Sequence, residues 1–171
     1  MGTPVAHIFE ELDFQITPLG EISLRKRSEP RLDNTIIYEV KMNEEFLMSS
    51  LFVEAEIQLA KLGLAALDNN FEGQKLDVIV GGLGLGYTAV AVLENTNVTS
   101  LKVIEVMAPV IDWHQRGLVP LGNELIADER CELVLGDFFA LATANSSGFG
   151  KVNHDKKVHA ILLDIDHTPD F

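Results

Sequence analysis

The sequence predicts an α/β fold, a parallel sheet with helical crossovers preceded by a small antiparallel β unit. Three observations point to it. A β-branched run, Asp77 to Val80, flows directly into Gly81, Gly82, Gly84 and Gly86, and then into a helical pattern from Thr88 to Glu94. Strand, glycine turn and helix in that order are how open α/β sheets build a nucleotide site. From Leu76 onward, short apolar runs alternate with helical segments, which implies parallel pairing. The length of 171 residues suits a domain able to bury a real core.

The elements follow in chain order. Phe14-Gln15-Ile16-Thr17 alternates and ends at Pro18-Leu19-Gly20. Glu21 to Arg25 alternates again, and Thr35 to Val40 reads as a third strand after a turn at Pro30 to Asn34. Met42 to Met48 adds a hairpin partner. Ser49 or Ser50 then offers a helix N-cap, and the apolar positions from Phe52 to Leu67 follow a roughly helical period up to a break at Asp68 to Gly73. These residues divide the chain into an N-terminal β-hairpin unit, 1–50, and a nucleoside-binding α/β domain, 51–171.

In the second part the strands are 76–80, Leu101 to Val106, Cys131 to Leu135 and Val158 to Leu163. The helices between them begin near Tyr87, carry Val110, Ile111 and Trp113, and run through Phe138, Phe139 and Leu141. Asn145 to Lys157 is polar and reads as a mobile loop. Trp113 and His114 read as a helix face, with Trp113 also able to line a pocket. The sequence supplies one half of an open sheet plus one strand. A fragment, a truncated gene or half of an assembly is therefore expected, and an unpaired edge strand leaves a homodimer open.

The formal charge of −13 argues against nucleic acid, whose phosphates require Lys and Arg, and against an anionic membrane surface. It is compatible with a small-molecule amine or other cationic acceptor, and more simply with plain solubility. No apolar run is long enough to span a bilayer, and Met1 to Glu10 lacks a basic-then-apolar secretory signal. The single cysteine, Cys131, cannot form an internal disulfide. A cytoplasmic location is expected.

In such sheets ligands sit outside the carboxyl ends of the strands. The glycine turn, Glu105, Asp137 and the cluster Asp164-Ile165-Asp166-His167 collect there. Glu105 can accept both hydroxyls of a ribose, or be a solvated strand terminus. Asp137 can accept from an adenine amino group, or cap the helix at Phe138. Asp164 can act as a general base or hold an ammonium group. One short loop gives a poor ligand set, so no metal is expected.

Val78 to Gly86, Val103 to Val106 with Pro109-Val110-Ile111, Leu135-Gly136-Asp137 and Ala160 to Asp164 stand in the order and spacing of the spermidine synthase family, which the chain resembles over most of residues 14–170. That resemblance implies a Rossmann-like sheet of the class I methyltransferase type, here partial, with a small N-terminal β unit. It implies a transferase using decarboxylated S-adenosylmethionine, or S-adenosylmethionine itself, with Gly82, Gly84, Gly86, Glu105 and Asp137 at the cofactor. It implies Asp164 as the base that deprotonates an attacking amine, with Asp166 and His167 near the acceptor.

There are departures from the family pattern. Leu85 occupies the place of an aspartate within the glycine turn. The family's Tyr-His-Glu is absent, with Glu56 as its remnant, and His167 replaces a second aspartate. The nucleoside-binding acids thus persist while the polyamine-binding ones are partly missing. A methyltransferase on the same fold is an alternative, although Val80 stands where most of those enzymes carry an acid. A dinucleotide dehydrogenase is another, since Gly84 to Ala89 fits G-x-G-x-x-A, but it leaves Asp137 and Asp164 without roles. A non-catalytic nucleoside-binding fragment is the last.

Overall fold

The structure, a computed structural model, describes residues 7–67, 71, 73–144 and 158–165. It opens with β1 (Phe9–Thr17), β2 (Gly20–Glu29), a 3-10 turn (Pro30–Leu32), β3 (Thr35–Met42) and β4 (Glu45–Ser49), paired in that order as an antiparallel sheet. The β3–β4 turn ties the sheet together. Asn43 and Glu44 both take positive φ, 49° and 69°, as a two-residue type I′ hairpin requires. The Asn43 side chain also accepts from the Glu21 N–H at 2.9 Å, joining this turn to β2.

Next come α1 (Glu54–Ala65), β5 (Leu76–Gly81), α2 (Tyr87–Leu93), β6 (Val98–Glu105), α3 (Ala108–Gln115), α4 (Gly122–Ala127), β7 (Cys131–Leu135), α5 (Phe138–Thr143) and β8 (Ala160–Leu163). The strands form a four-stranded sheet in the order β7-β6-β5-β8, and every pair is parallel. The chain steps from β5 out to β6 and β7, then returns to the far side of β5. The crevice between β5 and β8 is therefore the switch point at which such sheets bind ligands.

Alternation along β5 sorts the core into two layers. Val78 and Val80 face one cluster, which includes Leu101, Val103 and Leu162 of the sheet, Ala60, Val92, Trp113 and Leu125 of the helices, and Ile22, Leu24 and Val40 of the antiparallel sheet. Ile79 faces the other, with Ile104 and Phe138. The β unit thus shares the main core. A β-bulge between Glu11 and Asp13 accompanies a further tie: the Asp13 carboxylate accepts from Trp113 Nε1 at 2.6 Å.

Several sequence expectations need correction. The first helix starts at Glu54, not after Ser49 or Ser50. Ser50 Oγ instead accepts from the Tyr38 N–H of β3 at 3.0 Å, and Ser49 Oγ from the Leu51 N–H of the turn after β4 at 3.1 Å. β1 begins five residues earlier than its alternating pattern suggests, β6 begins at Val98 and β8 at Ala160. Trp113 is fully buried beneath the β unit and does not line the pocket. The segment 145–157 lies outside the described residues.

Candidate functional site

A cavity of about 390 Å³ opens at the carboxyl ends of the parallel strands. Gly82, Gly84, Gly86, Glu105, Asp137 and Asp164 all line it, so the structure brings together residues spread from 82 to 164. Asp166 and His167 lie outside the described residues. The β unit closes the cavity from above with apolar side chains, Leu19 from the β1–β2 turn and Met42, Leu47 and Met48 from β3 and β4. Glu56 of α1 and Tyr87 of α2 complete that side.

The three glycines have different reasons to be glycine. Gly82 (φ 96°) leaves room for the backbone carbonyl of Asp164, into which any Cβ would run. Gly86 (φ 94°) leaves room for Leu125 and His114 of the core, where a Cβ would fall 2.7 Å from Leu125 Cδ1. Gly84 (φ 51°) has only the flexible end of Met48 nearby, and a Cβ there would lie 3.3 Å from its sulfur. Gly84 is the position where the turn leaves backbone open for a ligand's approach.

Glu105 is 8% exposed, which rules out the solvated strand terminus. Oε2 accepts from the Leu83 N–H at 3.0 Å and Oε1 from the Met107 N–H at 2.8 Å, so the carboxylate braces the glycine turn against the start of α3. The N–H groups of Gly84 and Val106 also bear on the carboxylate, so a ligand hydroxyl would share its lone pairs with them. Burial pushes its pKa above the usual 4.5; the N–H groups of Met107, Leu83, Gly84 and Val106 oppose this without cancelling it. Asp137 does cap α5: Oδ1 accepts from the Phe139 and Ala140 N–H groups at 2.8 and 3.1 Å. That leaves Oδ2 as the oxygen available to a ligand amino group.

Asp164 follows β8 and is held at both ends. Its N–H donates to the Gly81 carbonyl at 2.7 Å, and its Oδ2 accepts from Thr88 Oγ1 at 2.6 Å. Thr88, which the sequence pattern marks only as part of a helix, supports the site from behind Asp164, and sequence reasoning missed it along with the apolar roof. Elsewhere, burial pushes the Cys131 thiol up to about 11, so at neutral pH it is not a nucleophile. His114 is fully buried with Nδ1 on the Val110 carbonyl at 2.9 Å, and burial lowers its pKa. Among the described residues no group of His, Cys, Asp and Glu is placed to hold a metal ion, and no helix is long and apolar enough to cross a membrane.

A parallel sheet with its cleft at the switch point, roofed by an antiparallel β unit, defines a partial Rossmann-like fold of the class I methyltransferase type. Solved structures that share it include two spermidine synthases. Spermidine synthase from Thermotoga maritima superimposes with a TM-score of 0.65 at 15% identity, over 92% of this chain and 47% of that one. A spermidine synthase in complex with the transition state analogue AdoDATO gives 0.64 at 16% identity, over 93% and 47%. The chain therefore spans about half the length of these structures, 47% in each case. At such identities the likeness is one of fold. No protein-family model matches the sequence, and no curated protein matches it.

Proposed function

We propose that this chain binds an S-adenosyl nucleoside in decarboxylated form and transfers its aminopropyl group to an amine. The observation that carries the reading is the charge of the cavity. Its carboxyl side chains are Glu56, Glu105, Asp137 and Asp164, and no Lys, Arg or His lines it among the described residues. S-adenosylmethionine carries an α-carboxylate that would meet no counter-charge here, whereas the decarboxylated form is a pure cation. The methyltransferase alternative is correspondingly disfavoured.

The residues fit the nucleoside. Glu105 would accept from the ribose hydroxyls, Asp137 Oδ2 from the adenine amino group, and the open backbone at Gly84 would pass the chain beyond the ribose. When bound, the sulfonium supplies an electrophilic carbon whose bond to sulfur breaks as the new N–C bond forms, releasing a thioether. Asp164 holds the acceptor amine and takes the proton that its nitrogen sheds. The apolar roof of Leu19, Met42, Leu47 and Met48 keeps bulk water from the attacking nitrogen.

The test is Asp164→Asn. Affinity for methylthioadenosine should stay within about twofold while the transfer rate falls roughly a hundredfold or more. An unchanged rate would remove Asp164 from the mechanism.

A further inference from the structure

We infer that Thr88 is a positioning residue for Asp164, a hydroxyl that can serve both protonation states of that carboxyl. The inference rests on the reading of Asp164 as the proton acceptor. It starts from where one side chain reaches. Thr88, at the second position of α2, bonds to two other elements: Asp164 Oδ2 at 2.6 Å and the Glu56 backbone carbonyl of α1 at 3.2 Å.

A hydroxyl has one proton to donate. The shorter contact, to a charged oxygen, takes it while Asp164 is ionised, since charge-assisted bonds are the stronger ones. When Asp164 accepts a proton from the amine, Oδ2 becomes a donor and the Thr88 oxygen becomes its acceptor. The Thr88 proton then has the Glu56 carbonyl already within reach. One bond rotation therefore keeps Asp164 Oδ2 bonded before and after the transfer. Thr88 is 2% exposed, so its own hydroxyl is shielded from competing water.

The arrangement also ties the base to the glycine turn. Thr88 lies two residues past Gly86, and Gly82 gives way to the Asp164 backbone carbonyl. The turn that would cradle the nucleoside and the carboxyl that would receive the proton are thus fixed to one another at two points.

The experiment follows the Asp164 carboxyl carbon by NMR titration of the ligand-free protein, the signal assigned by its loss in Asp164→Asn. The wild type is compared with Thr88→Val, Thr88→Ala and Thr88→Ser. The ionisable groups sharing the cavity, Glu56 on α1, Tyr87 on α2, Glu105 at the end of β6 and Asp137 before α5, are the same in all four proteins. Both Thr88→Val and Thr88→Ala should move the Asp164 midpoint upward by about one pH unit, because the ionised form loses a charge-assisted bond and the protonated form only a weaker neutral one. Thr88→Ser should restore the wild-type midpoint. In the transfer assay, Thr88→Val should lower kcat by about tenfold or more, with KM for the amine and affinity for methylthioadenosine within about twofold.

A Thr88→Val midpoint equal to the wild type, or a Thr88→Ser protein as affected as Thr88→Val, would overturn the inference. Absence of transfer by the wild type with every amine would count against the transferase reading, and the carboxyl titration would still decide the role of Thr88.

Discussion

Glu105→Gln separates the bracing role of one buried carboxylate from the ligand role proposed for it. The substitution keeps the shape and removes the charge. In the native protein Oε2 accepts the Leu83 N–H at 3.0 Å and Oε1 the Met107 N–H at 2.8 Å, with the Gly84 and Val106 N–H groups also bearing on the carboxylate. Glutamine offers one oxygen and one NH₂ group, so one of those N–H groups loses its acceptor, at a cost of about 1.5–3 kcal/mol. Against this, the variant no longer buries a charge, the penalty that raises the native pKa. The two effects offset, and folding stability in urea should stay within about 2 kcal/mol of the wild type. Binding has no such offset. A ribose that donates two hydroxyls to a carboxylate loses one charge-assisted bond to the amide, and affinity for methylthioadenosine should fall about 10- to 150-fold.

The pH dependence gives a second reading of the same residue. The folded pKa lies above the unfolded one, so between the two values the folded state holds more protons. Stability contributed by Glu105 is therefore greatest below about 4.5 and declines as pH rises through the folded value. Ligand affinity runs the opposite way, because the ribose needs the ionised form, and it should weaken on acidification at a higher pH than an ordinary carboxylate would give. Glu105→Gln should abolish both dependences. Affinity within twofold of the wild type in Glu105→Gln would refute the assignment of this carboxylate to the ligand.

The glycines provide a contrast within one turn. Gly82→Ala drives a Cβ into the Asp164 carbonyl and should cost more than about 4 kcal/mol, seen as loss of a cooperative thermal transition. Gly84→Ala, at φ 51° and against Met48 alone, should cost only about 1–2 kcal/mol while methylthioadenosine binding is lost. The tie between the β unit and the parallel half should also be measurable. Trp113→Phe keeps the buried ring and deletes the donor to Asp13, lowering stability by about 1–3 kcal/mol. Burial raises the Asp13 pKa, but bonds from Trp113 and Gln15 with the charge of Arg116 outweigh it and leave the value lowered. The stabilisation is thus present above about 3.8 and lost as pH falls through the folded value, and Trp113→Phe should flatten that acid limb.

The parallel half was readable because its signals are local. A β-branched run into Gly81 and Gly82 has few other structural meanings, and the acids ending each strand inherit their place from the topology. Ser49 and Ser50 misled because a serine before a helical pattern normally caps it, and here backbone amides of β3 and of the β4–α1 connection claimed the two hydroxyls. α4 went unread because Gly122–Ala127 is too short to show a period. Thr88 went unread for a different reason. Its partner Asp164 is 76 residues away, and nothing in α2 itself distinguishes its hydroxyl from that of any helical threonine. The roof over Gly84 is equally non-local. Leu19, Met42, Leu47 and Met48 look like ordinary hairpin residues until the shared core with Ile22 and Leu24 sets the β unit above the sheet.

Everything proposed for the site depends on an acidic cleft selective for a decarboxylated S-adenosyl nucleoside. Calorimetric titration with decarboxylated S-adenosylmethionine, methylthioadenosine, S-adenosylmethionine and NAD under one set of conditions measures that selectivity. The decarboxylated form and methylthioadenosine should bind at least about tenfold more tightly than S-adenosylmethionine, the cost of one uncompensated carboxylate. Tighter binding of S-adenosylmethionine, or binding of NAD alone, would overturn the assignment.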